Sequence, residues 1–327
     1  MPKHLPKAEL HVHLDGTLTP QLIQQLAHKH DVSINPDILT ACGQHFYWAD
    51  FAGFHEVFEQ AFTVIQDVDD VQLITYNYLK ALSEQNTCYA ELIVSPHHAQ
   101  NNGMSYTRLL QGLQAGIDQA RSAFGIEGRI LMVFLRHYGP EQAEKWAQTI
   151  VDNPHPYVVG VNLVGDIRQH AVREFSACFK LAKQAGLGLS CHAGELDGGV
   201  EEIWQAITDL QVDRISHGVR CLEDPDLVKH LVDTQIHLEV CPTSNVVLGM
   251  YPDYQAHPFK QLHNEGLNLG LNTDDPGFFN TDLTREYQIA QHYYGLTDSE
   301  LFQMTQQALQ NSFVDELTRK RLWQALS

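Results

Sequence analysis

The sequence predicts an α/β fold, a (β/α)8 TIM barrel with extra helices inserted after the first strand and at the C-terminus. Three observations lead there. Eight short runs rich in β-branched and apolar residues recur along the chain, with helical patterns between most of them. From the second run onward they begin about 30 residues apart, the length of a βα unit. Several runs end in clusters of histidine, acid and glycine, and in such barrels chemistry gathers at the carboxyl ends of the strands. No glycine-rich nucleotide fingerprint follows the first run, which disfavours an open doubly wound sheet.

The first run, Glu9–Leu14 (ELHVHL), alternates apolar and polar residues. On a strand this puts His11 and His13 on one face, about 7 Å apart along the backbone. Two converging imidazoles suit a metal ion, although an isolated HxH is equally a pair of core histidines. Residues 18–87 must hold more than one helix, beside the mouth of this strand. Phe51, Phe54, Phe58 and Phe62 recur there at helical spacing, a stripe that a packed core also produces. The next runs are Cys88–Val94, Arg129–Leu135 and Val158–Val164, followed by Leu187–His192, Arg214–His217, Ile236–Cys241 and Leu267–Asn272. Val200–Leu210 and Asp226–Leu231 read as connecting helices. Residues 281–327 read as terminal helices, with an N-cap opening TDSELFQMTQQALQNSF. No linker or low-complexity segment divides the chain, so residues 1–327 read as one domain.

With 21 basic and 40 acidic residues the net charge is −19, which makes nucleic acid and anionic membranes poor partners. The apolar runs fall short of the ~20 residues that a membrane span needs. The opening MPKHLPKAEL carries no hydrophobic signal core, so a cytoplasmic location is expected. Cys42, Cys88, Cys178, Cys191, Cys221 and Cys241 are scattered without a CxxC pair, so any metal ligands should be histidine and carboxylate.

The strand ends carry the chemistry. Strand one ends in HVHLDGT, strand four in Gly165-Asp166, strand five in CHAGE, strand six in SHG, and strand eight in NTDDPG. Together with CPTSN, and in this order over nearly the whole chain, these motifs resemble the adenosine deaminase family of metal-dependent aminohydrolases. The resemblance implies a barrel with one Zn²⁺ per chain, held by His11, His13, His192 and Asp274 with water in the remaining position. Imidazole and carboxylate are suitable zinc ligands on independent grounds. The resemblance further implies that Glu195 protonates purine N1, and that His217 orients the attacking hydroxide and helps move its proton. Asp274 would touch that hydroxide, Asp275 bond N7, and the Gly165 N–H donate to N3. On the sugar side Asp15, and secondarily His13, match groups near a ribose 5′ hydroxyl. Phe51, Phe54 and Phe58 match a hydrophobic lid over the ribose, in which His55 is unexpected. Burial would raise the Glu195 pKa, whereas a nearby cation would lower it.

Asn162–Asp166 contains no lysine that could bridge two metals, and Cys241-Pro242 lacks the second cysteine of the HxE/PCxxC deaminases. The family usually reads DLAGDE after strand four, where this chain has Asn162 and Ile167. The expected substrate is a small purine nucleoside: adenosine or 2′-deoxyadenosine, converted to inosine or 2′-deoxyinosine and ammonia. Asp15 and Gly165-Asp166 favour it over the alternative, adenine or another 9-substituted adenine, since adenine deaminases typically carry HLEG and a serine after strand four. A catalytically inactive nucleoside-binding barrel is the non-enzymatic alternative, against which the intact ligand and acid set argues.

Overall fold

A computed structural model describes residues 2–49, 51–165, 168–196 and 198–326, without the side chains of Phe51, Ala52 and His55. The side chains of Phe51 and His55, the Asp166 that matches the family pattern and the Ile167 that departs from it therefore lie outside the described residues. Among those described, eight parallel strands pair in sequential order. They are β1 (Lys7–His13), β2 (Thr87–Val94), β3 (Glu127–Leu135), β4 (Val158–Val164), β5 (Gly188–Ala193), β6 (Arg214–His217), β7 (His237–Val240) and β8 (Leu269–Leu271). Each matches one predicted run to within two residues at either end. Between β8 and β1 the barrel closes through a bridge from Val12 to Asp274. There His13 N–H donates to Asp274 O at 2.9 Å and Asp274 N–H to His11 O at 3.1 Å.

A register shift interrupts the regular alternation of β1. Glu9 pairs with Ala90 and Val12 with Leu92, so three residue steps on β1 face two on β2. This is a β-bulge, and it reverses the alternation. Both Leu10 N–H and His11 N–H donate to Asn272 Oδ1, at 2.8 and 3.1 Å. Glu9 consequently parts from His11 and His13. It accepts from the Tyr78 hydroxyl at 2.6 Å and from Thr273 N–H and Oγ1–H at 3.1 and 2.6 Å.

The long first connection holds α1 (Pro20–His30), α2 (Phe51–Phe62) and α3 (Val68–Ser83). Thr19 caps α1 by accepting from Leu22 N–H, with Pro20 fixing φ in its first turn. Asp67 and Asp70 form a capping box on α3. Beyond β2 come α4 (Pro96–Asn101) and α5 (Tyr106–Phe124). The close approach of α3 and α5 requires glycine: a Cβ on Gly116 would lie 2.6 Å from Thr75 Cβ, and one on Gly112 2.7 Å from Val68 O. The terminal region supplies helices Leu283–Tyr294, Asp298–Asn311 and Glu316–Ala325, as predicted.

Inside the barrel, below the strand ends, lies a fully buried ionic layer. Arg214 reaches Glu91 at 2.5 Å and Glu239 at 2.6 Å. Two carboxylates around one guanidinium are tolerated there because hydrogen bonds complete them. Tyr89 O–H and Phe313 N–H both donate to Glu91 Oε1 at 2.7 Å, and Ser216 O–H donates to Glu239 Oε2 at 2.7 Å. The Phe313 ring covers the Arg214 guanidinium at 3.7 Å. All six cysteines are unpaired, and no described helix is long and apolar enough to cross a membrane.

Candidate active site

Five side chains converge above the ionic layer. His13 Nε2 lies 3.2 Å from His192 Nε2 and 3.2 Å from Asp274 Oδ1, and His11 Nε2 lies 3.2 Å from the same oxygen. A tetrahedral ion with bonds near 2.0–2.1 Å separates its ligand atoms by about 3.3 Å, so these spacings fit a metal. The fifth side chain is His217, 3.9 Å from Asp274 Oδ2. His11, His192, His217 and Asp274 also lie close enough together to form a metal group. Hydrogen bonding decides between His13 and His217.

Phe259 N–H donates to His257 Nδ1, so His257 carries its proton on Nε2, which faces Asn245 Oδ1 at 3.0 Å. Asn245 then donates from its amide nitrogen to His217 Nδ1 at 3.3 Å. His217 therefore presents Nε2–H to the site and has no lone pair there to offer a metal. Burial pushes His217 down to about 3, so it is neutral. The opposite tautomer holds at His192, whose Nδ1 meets Asn162 Oδ1 at 2.8 Å, while Asn162 donates to Ser216 Oγ at 3.1 Å. That leaves the Nε2 lone pair of His192 for an ion. His11 Nδ1 faces Glu239 Oε2 at 3.7 Å, and its buried Nε2 has no hydrogen-bond partner, a further mark of a ligand atom. The set His11, His13, His192 and Asp274 fits a single zinc-sized ion.

Backbone strain aims two of these groups. Asp274 has φ +64° and His217 φ +68°, a region that side chains other than glycine rarely occupy. Gly165, with φ +118°, lines the same cavity, and a Cβ there would lie 3.1 Å from His137 Nδ1.

Three acids complete the site, and their environments separate their charges. Burial would raise Asp274, but His11 and His13 beside it hold it well below the usual carboxylate range. Its Oδ2 accepts from Ser244 O–H at 2.7 Å. Burial, reinforced by Asp274 and Asp275, drives Glu195 well above that range, and Glu195 Oε1 stands 3.6 Å from His217 Nε2. Burial and the neighbouring Asp274 likewise raise Asp275. Burial thus pushes Glu195 and Asp275 toward holding a proton, whereas the neighbouring histidines favour a charged Asp274. For His13, burial acts downward, but the Asp274 bond and the charges of Asp275, Asp274 and Asp15 raise it to about 9. An ion bound there must displace that proton.

The cavity in front of these groups has a volume of about 280 Å³. His13, Asp15, Gly165, His192, Glu195, Asp274 and Asp275 line it, so the structure brings these expected residues together. Phe54, Phe58 and Phe62 of α2 line it too; Phe54 packs on Phe278 and Phe279, Phe58 on Phe278 and Phe62 on Phe58, so the stripe is core and cavity wall at once. Sequence reasoning missed Asn245, His257, Glu239 and the His98 that follows β2. Strand two also ends in a polar cluster, Ser95–His98 (SPHH), the signal that singled out other strand ends.

Fold and site together define a barrel hydrolase of the metal-binding kind. The family model described as adenosine deaminase matches residues 6–327. An adenine deaminase of Sinorhizobium medicae is 42% identical over 100% of this chain and 99% of its own length. The solved structure of adenine deaminase from Arthrobacter aurescens superposes with a TM-score of 0.90 at 25% identity, covering 98% of each chain. An amidohydrolase from Burkholderia ambifaria, solved with bound Zn, also gives 0.90 at 25% identity, over 99% of this chain and 90% of that one. This chain belongs to the adenosine deaminase family, whose members are metal-dependent. It is a hydrolytic deaminase.

Proposed function

We propose that this protein hydrolyses adenine to hypoxanthine and ammonia, with one zinc ion held by His11, His13, His192 and Asp274. The observation that carries the substrate is the end-to-end similarity to relatives named adenine deaminase. It favours the alternative that the sequence left open over adenosine, the substrate it favoured.

A zinc ion, when bound, supplies a Lewis acid that brings the ionisation of water near neutral pH. The protein's own groups do the rest. Glu195, protonated through burial, gives its proton to N1 and draws electrons from C6. Asp275, also protonated, donates to N7, and Gly165 offers its N–H to N3. His217 Nε2–H orients the water oxygen that adds to C6. Asp274 is placed to hold the proton released by water and return it to the departing amine, while His217 keeps its Nε2–H on the oxygen. The C6–N bond then breaks, ammonia leaves, and the hydroxyl proton on the oxygen passes back to Glu195, leaving the C6 carbonyl with N1–H.

Side-by-side assays of adenine, adenosine, 2′-deoxyadenosine and AMP test the substrate, with adenine expected to give the highest kcat/KM. Preference for adenosine would return the reading to the nucleoside. Glu195→Gln should retain about one zinc per chain and lose at least ~10²-fold in kcat. A near wild-type rate in that variant would remove Glu195 from its role.

A further inference from the structure

The wall of the cavity away from the metal ligands carries a row of polar groups. Asp275 touches the turn after β1, where a Cβ on Gly16 would lie 1.9 Å from Asp275 Oδ1. Asp15 is next to it, with Oδ2 3.6 Å from His98 Nδ1. His98 Nε2 in turn lies 3.8 Å from Glu59 Oε1. These distances exceed a hydrogen bond. His98 is only 9% exposed, yet neither of its ring nitrogens has a hydrogen-bond partner, and it lines the cavity. A buried imidazole left in this state costs stability, so a ligand that bonds it restores what the fold leaves unmet.

Its placement is built. Ser95, at the end of β2, accepts from His98 N–H at 3.1 Å, which starts α4. The ring packs on Phe62 of α2 with centroids 4.2 Å apart. Asn102 ties the end of α4 to the last residue of α2 and the turn after it by donating to Phe62 O and Ile65 O, at 2.6 and 3.0 Å.

The chemistry of the base says what this row would read. With N1 at Glu195 and N7 toward Asp275, the next nitrogen round the five-membered ring is N9. In the ordinary 9H form of a free purine base, N9 carries the hydrogen and needs an acceptor. In a nucleoside it carries a sugar instead. We propose that His98, together with Asp15, forms the subsite that accepts N9–H of an unsubstituted purine base, and that the His98 ring stands where a 9-substituent would go. This rests on the adenine reading above and adds to it the residue that would enforce the choice. Asp15, which the family resemblance placed near a ribose hydroxyl, takes the base instead.

The test compares kcat/KM for adenine and 9-methyladenine on the zinc-loaded wild type, His98→Leu and His98→Asn, with zinc content measured alongside. The wild type is expected to favour adenine. His98→Leu should lower the adenine to 9-methyladenine ratio at least ~10-fold, mainly through KM for adenine, the size of one lost buried hydrogen bond. His98→Asn, which keeps a polar group, should lose less of it. A wild type that uses both bases equally overturns the proposal without recourse to any variant. A ratio unchanged in zinc-loaded variants, while the wild type still prefers adenine to adenosine, overturns the His98 subsite and leaves the adenine reading standing. Preference for adenosine in the wild type overturns both.

Discussion

At the scale of single residues the site works through tautomers. Asn245 stands between two buried histidines, accepting from His257 and donating to His217, and its amide can serve both only in one orientation. Without the His257 donor the Asn245 amide is free to turn and offer oxygen to His217, which would move the His217 proton to Nδ1. His257→Phe should therefore leave zinc content unchanged and lower kcat by about 10–100-fold, the range for partners that orient a reacting histidine. His257→Gln, which retains an N–H donor, should recover part of the rate. A His257→Phe enzyme with unaltered kcat at full zinc occupancy would dismiss the relay. Asn162 does the complementary work at His192, accepting from Nδ1 so that Nε2 stays free. The change from aspartate to asparagine keeps this acceptor but not its negative charge.

At the scale of elements, strand starts and strand ends divide the labour. The starts of β4 and β5 carry Gly160 and Gly188, against which Phe313 seats itself beneath Arg214. A Cβ on Gly188 would come within 2.3 Å of the Phe313 ring. Gly188→Ala must displace that ring and expose one side of the Arg214–Glu91 pair, an overpacking expected to cost about 1–3 kcal/mol. The variant should melt at a lower temperature while keeping its zinc and its rate in the cold, because the strand ends that hold the site are at the other end of the barrel. An unchanged melting temperature would show that the plug moves freely. The bulge in β1 belongs to the same scale: its extra residue turns Glu9 away and lets His11 sit over Glu239.

For the whole molecule, stability should depend on acid through buried neutral histidines remote from the metal ligands. Burial lowers His237 from 6.5 to about 4 and His257 to about 3. Between those values and 6.5 the unfolded chain binds protons that the folded chain refuses. Stability from these groups is complete above about pH 6.5 and is lost as the pH falls toward 4 for His237 and toward 3 for His257. Glu286 acts in the opposite direction. Burial raises it to about 7, so its contribution falls as the pH rises from 4.5 to 7. Comparing the wild type with His237→Gln isolates one histidine. The stability difference in favour of the wild type should shrink as the pH drops from 6.5 to 4, measured by denaturant unfolding of the zinc-loaded proteins. A difference independent of pH would mean that His237 is not held neutral.

The sequence by itself determined the barrel, because each strand and helix announces its period locally and eight such units have few ways to close. It also determined the likeness of the ligand set, since HxH, the strand-five histidine and the aspartate after strand eight lie in short motifs that can be read without contacts. Tertiary structure alone decided which nitrogen of each histidine faces the site, because a tautomer depends on a partner far along the chain: Asn162 for His192, and Asn245 backed by His257 for His217. It alone decided that Glu195 and Asp275 are pushed up while Asp274 is held down, because burial and proximity, not residue type, set those energies. It alone brought His98 from the end of strand two to within 3.6 Å of Asp15. Short motifs carry the chemistry that neighbours in sequence can supply, and selectivity sits where residues remote in sequence meet.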